Sequence, residues 1–236
     1  MNIDNTALSL LDVVSAAICF ILVWFMTKPY RYTGERKYIS LPLAFSLLGA
    51  SFAMGGTLYF EPQTFIDVIR WFQLFTQSYA FAFLAVTYYF SKKGKEATKL
   101  WLGIIYATIF SVIAISLITI FVPKISALPS FNIVDESMRI FNIVCLSYIA
   151  VHTLRGYMSR PDPKTIWIPF GFLLIDFSQY SFLIWSIDAS FTAFVGAHFL
   201  RLTGLLVFLV VAYQTFYTVS EGSGVRELNE KAPPKR

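Results

Sequence analysis

The feature that most limits the fold of this chain is a series of seven apolar runs. Each is close to the roughly 20 residues that a helix needs to cross the hydrocarbon core of a bilayer. They lie near 6–27, 39–60, 65–90, 100–122, 137–158, 166–187 and 193–218 of a 236-residue chain. Polar breaks, most of them with proline or glycine, separate the runs: Lys28-Pro29-Tyr30-Arg31, Glu61-Pro62, Lys92-Lys93-Gly94-Lys95, Pro123-Lys124 and Arg160-Pro161-Asp162-Pro163-Lys164. The last break, around Asp188, is the shortest. A water-soluble fold needs a polar coat, yet only 14% of the residues are charged where a soluble domain has about 25%. A lipid-facing exterior removes that shortage. The sequence therefore predicts an all-α integral membrane protein, a seven-transmembrane-helix bundle over residues 1–218, followed by a short polar tail at 219–236.

The net charge of +5 does not indicate nucleic acid, because the basic residues lie between apolar runs rather than along one polar face. Lys and Arg in short loops set membrane orientation. One side of the predicted bundle holds Lys28, Arg31, Arg36, Lys37, Lys92, Lys93, Lys95, Lys99, Arg155, Arg160, Lys164, Arg226, Lys231, Lys235 and Arg236; the other holds Lys124 and Arg139, 15 against 2. The expectation is a cytoplasmic basic side and, with an odd number of spans, an N-terminus outside. This makes it a multi-pass protein of the cell membrane. The tail from Glu221 is too short and too polar for a second domain.

Helix packing has a visible pattern. Ser46, Gly49 or Ala50, Ala53 and Gly56 recur every three or four residues in the second run. Small residues at that spacing let backbones approach closely in lipid. Tyr30, Tyr32, Tyr38, Tyr88, Tyr89, Trp101, Tyr157 and Trp167 read as an aromatic belt near the cytoplasmic boundary. Cys19 and Cys145 fall inside apolar runs and read as small apolar packing residues rather than a disulfide framework.

Ionisable groups inside a span are costly and mark function or clamping. Asp12, Asp176, His198 and Arg201 are the deepest, with Arg70 nearer the outer boundary. At 1.5 Å per residue, Arg201 lies roughly 12 Å inside the outer end of the last run and Asp176 roughly 16 Å inside that of the sixth. The two runs are joined by a very short loop, so an Asp176–Arg201 ion pair is expected. His198 sits one turn outward from Arg201, and Gln179 one turn outward from Asp176. Arg70, Gln73 and Gln77 form one stripe on the third run. Asp12 lies at a similar depth on the first. Two arrangements satisfy this pattern: an outward-facing polar cavity among the first, third, sixth and seventh spans, or separate interhelical hydrogen bonds. Asn142, Cys145 and His152 make a further stripe, read as packing.

The chain has no Walker loop, serine-nucleophile elbow, dinucleotide fingerprint or zinc-spaced Cys/His cluster. His152 and His198 differ in depth by about 14 Å, which prevents them from sharing one haem. Neither an enzyme nor a resident cofactor or metal is expected.

The seven-run topology resembles that of microbial rhodopsins and seven-helix receptors. Phe194 to Tyr217 contains no lysine, its only basic residues being His198 and Arg201, so the retinal imine of the rhodopsins has no anchor. The segments Ser147-Tyr148 to Arg155-Gly156-Tyr157 and His198-Phe199-Leu200-Arg201-Leu202-Thr203-Gly204 resemble the last helices of prokaryotic seven-helix membrane sensory modules. That resemblance implies a bundle feeding a cytoplasmic signalling domain. Here 18 residues follow the last run, so the output is expected to pass to a separate protein partner.

The leading functional expectation is a receptor-like membrane sensor. It would bind a small or lipid-soluble ligand among Arg70, Gln73, Gln77, Asp176, Gln179, His198 and Arg201. The alternative is a non-catalytic structural subunit of a larger membrane complex, its polar stripes covered by partner helices. A transporter is third, because the inner half offers only His152 and Gln214 as deep polar groups.

Overall fold

A computed structural model describes residues 5–33, 40–58, 63–90, 100, 103–104, 106–108, 110–111, 114, 131–159, 161 and 166–230. The described chain is helical, with turns and no strand. Six helices are delimited: α1 (Asn5–Thr33), α2 (Ser40–Thr57), α3 (Gln63–Phe90), α4 (Phe131–Ser159), α5 (Trp167–Asp188) and α6 (Phe191–Glu230). The described residues between 100 and 114 are helical as well. Most of the fourth predicted run, 100–122, lies outside the described residues.

Five of these helices are long and apolar enough to cross a membrane: Ser9–Lys28 of α1, α2, α4, α5 and Phe191–Thr215 of α6. That makes the chain a multi-pass membrane protein by length and composition. Its surface agrees, since Leu10 at 62%, Phe177 at 57%, Phe199 at 63% and Ile187 at 66% stand exposed. Apolar side chains spread so widely over an exterior belong against lipid. Of the six delimited helices, the one outside the five is α3, which carries the polar stripe Arg70, Gln73 and Gln77.

Three boundaries differ from those expected. Pro29 does not end α1, which continues to Thr33. A proline removes one helical N–H, and the flanking turns keep their own bonds. α4 starts at Phe131 rather than near 137. Its second turn takes in Asp135 and Glu136, and Asp135 accepts from Arg139 one turn on at 2.7 Å. α6 runs to Glu230 rather than 218. The polar stretch 219–230 has no proline before Pro233, so nothing there forces the helix to stop.

The shortest break is a tight reversal. Ala189 adopts a left-handed conformation (φ 49°) and its N–H bonds the Trp185 carbonyl at 2.8 Å. This closes α5 in the manner usually left to glycine. Ser190 then opens α6, with Oγ accepting from the Ala193 N–H at 3.4 Å. The turn makes α5 and α6 antiparallel neighbours.

Among the described helices the packing closes a ring, in which each helix meets the next and α6 returns to α1. Glycines set two of the seams. On the α5–α6 seam, a Cβ on Gly204 would lie 2.9 Å from the Gly171 carbonyl oxygen and 2.8 Å from Ile175. On the α1–α2 seam, Gly56 faces Val13, Gly49 faces Phe20 and Cys19, and Ser9 Oγ donates to the Gly56 carbonyl at 2.8 Å. The small-residue pattern of the second run thus serves contact with α1. Apolar side chains fill the core: Phe45, Leu48, Phe81, Leu84, Ile149, Phe172, Leu205 and Phe208 are all at least nine-tenths buried. Their rings meet edge to face, Phe172 and Phe208 at 4.7 Å between centroids and Tyr88 and Phe172 at 5.6 Å. Both cysteines are buried and unpaired.

Candidate functional site

Toward the end of the bundle where α1, α3, α4 and α6 begin, the core turns from apolar to polar. Asp12 of α1, His198 and Arg201 of α6 are each 3% exposed. Arg201 Nη2 donates to Asp12 Oδ1, joining the first described helix to the last across 189 residues of sequence. His198 Nε2 lies 3.9 Å from the same carboxylate oxygen. Its other ring nitrogen, Nδ1, is 2.9 Å from the Phe194 carbonyl oxygen one turn back. A buried guanidinium and a buried carboxylate are each costly to bury alone, and each relieves the other here.

Aromatic rings wall this pair in. The Arg201 guanidinium stands 4.5 Å from the centre of the Phe52 ring of α2 and 5.9 Å from that of Phe182 of α5. His198 packs between Phe182 (5.0 Å) and Phe194 (4.5 Å). Phe182 also carries Arg139 of α4 at 4.8 Å, so one ring contacts two cations. α2 contributes a gap as well as a ring. A Cβ on Gly55 would lie 2.6 Å from Gln73 Nε2 and 2.9 Å from Asp12 Oδ2. The absence of a side chain at 55 therefore lets the α3 amide and the α1 carboxylate share that space.

The expected Asp176–Arg201 pair is not formed. Arg201 takes Asp12 instead, and Asp176 accepts from Ser147 Oγ of α4 at 2.7 Å. The reason is the direction each residue faces. Gly171, Ile175 and Gly204 make the α5–α6 seam, and Asp176, one residue beyond Ile175, is turned about 100° from it. That turn directs it to α4. Gln179, on the same face, accepts from Asn142 Nδ2 at 3.4 Å.

The seven expected ligand residues thus fall into separate groups. Gln73, His198 and Arg201 gather around Asp12. Asp176 and Gln179 belong to the α4–α5 seam with Ser147 and Asn142. Gln77 is buried, one turn deeper than Gln73 on α3, and Arg70 is exposed. The Asn142–Cys145–His152 stripe does pack against neighbours. Asn142 is fully buried, and the His152 ring lies 5.9 Å from those of Tyr88 and Tyr148. Depth reasoning flagged Asp12 but gave its partner to Asp176. Phe52, Phe182 and Gly55 carried no sequence signal beyond apolar or small character.

Six buried polar atoms have no hydrogen-bond partner among the described residues: Ser78 Oγ, Asn142 Oδ1, Asp176 Oδ1, Ser178 Oγ, Gln179 Nε2 and Arg201 Nε. They sit on four consecutive helices of the ring, α3 to α6. Unsatisfied polar atoms are rare and mark functional or hydrated regions. No group of three or more His, Cys, Asp or Glu side chains able to hold a metal occurs among the described residues. The centre offers a cation with one free N–H, a carboxylate, a histidine and an amide in an aromatic enclosure. Such a set can hydrogen-bond a polar or anionic group.

No protein-family model, curated protein or solved structure matches this chain.

Proposed function

We propose that this chain is a receptor-like sensor of the cell membrane. It has seven spans, the N-terminus outside and the C-terminus in the cytoplasm. A small or lipid-soluble ligand binds at the Asp12–Gln73–His198–Arg201 centre. The signal passes to a separate protein partner through the basic cytoplasmic face. Orientation is supported by the 15-to-2 division of Lys and Arg between the two sides. It puts the Asp12–Arg201 centre in the outer half.

One observation carries the reading: a buried ion pair, Asp12–Arg201, ties the first helix of the ring to the last. A ligand bearing an acidic or strongly hydrogen-bonding group competes with Asp12 for the guanidinium. Binding then loosens the α1–α6 contact and shifts α6, which continues beyond the apolar core. Ligand energy thereby acts on a packing that has two arrangements, paired and displaced.

A thermal-shift screen of purified protein tests the proposal. Ligands that stabilise the wild type are expected to lose their effect in Gln73→Leu and His198→Phe, which leave the ion pair in place. Stabilisation that is unchanged in both variants refutes the assignment. Proteins with single cysteines introduced in the basic loops test orientation, since an impermeant reagent on intact cells should leave them unlabelled.

The alternative is a non-catalytic subunit of a larger membrane complex, whose partner helices would cover the polar stripes; Asn142 and Gln179 are already fully buried within this chain, while Arg70 is exposed. A transporter needs a polar path through the other half, where Phe45, Phe81, Phe172 and Phe208 fill the core.

A further inference from the structure

The α4–α5 seam holds a carboxyl group that the ligand site does not use. Asp176 is the tenth residue of the 22-residue α5, roughly 14 and 18 Å along the axis from its two ends. Its Oδ2 accepts from Ser147 Oγ at 2.7 Å, while Oδ1 is buried with no partner. The side chain is half-buried, and Tyr180, one turn along the same face, is 54% exposed. The group thus sits in mid-span at a seam that borders lipid.

Several of the charged and titratable groups on the elements packed against α5 have partners of their own, and Arg155 of α4 is exposed. On α4, Arg139 pairs with Asp135, the Cys145 thiol is buried, and His152 packs on Tyr88 and Tyr148. On α6, Arg201 and His198 both face Asp12. Tyr88 of α3 packs on Phe172, one turn before Asp176. No ion pair among the described residues includes Asp176. A carboxylate at this depth would hold a full charge against one hydroxyl donor. A carboxylic acid holds none, and burying one unpaired O–H costs far less than burying an unpaired charge.

We propose that Asp176 is a proton-binding site at the α4–α5 seam. The group is un-ionised at neutral pH, with Ser147 Oγ donating to Oδ2 and the proton held on Oδ1. Releasing that proton leaves a bare charge that must draw in water or a cation, so protonation keeps α4 docked on α5. This assignment is independent of the ligand reading.

An un-ionised carboxyl within lipid has a diagnostic reaction with a hydrophobic carbodiimide. The carboxyl oxygen forms a bond to the central carbon, and the acid proton passes to one of its nitrogens. The O-acylisourea so formed rearranges to a stable N-acylurea. Nothing leaves, and no oxidant or reductant is required.

The experiment treats the full chain in liposomes at neutral pH with dicyclohexylcarbodiimide or with a water-soluble carbodiimide, followed by peptide mass spectrometry. The expected result is an Asp176 adduct from the hydrophobic reagent only, declining several-fold as pH is raised and absent in Asp176→Asn. Infrared difference spectra of wild type against Asp176→Asn provide a readout independent of reagent access. They should show the carbonyl band of an un-ionised acid at neutral pH, moved in Ser147→Ala. An ionised-carboxylate band for Asp176 at neutral pH overturns the proposal, as does equal labelling by both reagents.

Discussion

Replacing Asp12 by Asn removes the carboxylate charge while keeping the side chain's size. It leaves the Arg201 guanidinium, 3% exposed, with the Phe52 ring and no anion. Breaking a buried pair from one side costs about 3–5 kcal/mol, because the surviving charge stays uncompensated. For a chain of this length each kcal/mol moves the melting temperature by about 2–4 °C, so a loss of ~6–20 °C is expected. Arg201→Gln strands the Asp12 carboxylate instead, 5% exposed on its side chain, and should cost a comparable amount. The double variant leaves two amides and no buried charge, and should recover most of either loss. Thermal unfolding of the four proteins in nanodiscs measures the coupling. Additive losses, with the double variant the worst of the set, would refute the pairing.

Other consequences of the geometry are open to simpler assays. Gly204→Ala forces a Cβ to 2.9 Å from the Gly171 carbonyl, a backbone atom that cannot turn aside, and should destabilise the protein by about 1–3 kcal/mol. Gly55→Ala meets the mobile Gln73 amide first, so its stability loss should be smaller than that of Gly204→Ala while ligand binding is weakened. Asn142→Leu leaves Gln179 buried without its partner and should cost about 1–3 kcal/mol, most of which Asn142→Leu with Gln179→Leu restores. Cys19, with no exposure, should resist an alkylating reagent until the bundle unfolds, which is checked by labelling before and after denaturation.

The membrane character was legible because apolar runs of spanning length have few alternatives, and five of the seven reappear as membrane-length helices. Helix ends were less legible. Ala189 closes α5 in a conformation that composition assigns to glycine, and the α6 backbone passes the edge of its apolar stretch because no proline stops it. The site was legible in depth and not in direction. The sequence puts Asp12, Asp176, His198 and Arg201 at compatible heights, and any of these acids satisfies that constraint for Arg201. The choice between them depends on rotation about each helix axis, which the Gly171–Gly204 contact fixes. That contact joins residues 33 apart on two helices, and no local pattern announces it. Asp176 and Gln179 face α4, His198 and Arg201 face Asp12 of α1, and those two faces do not meet.

The account depends on Arg201 of α6 facing Asp12 of α1 inside the bundle. Solid-state NMR of the protein in bilayers, with guanidinium nitrogens and aspartate carboxyl carbons labelled, measures this contact directly. The account predicts dipolar coupling between Arg201 and a carboxyl at salt-bridge range, within about 4 Å, lost in Asp12→Asn and retained in Asp176→Asn. Coupling that survives Asp12→Asn and disappears with Asp176→Asn would contradict it.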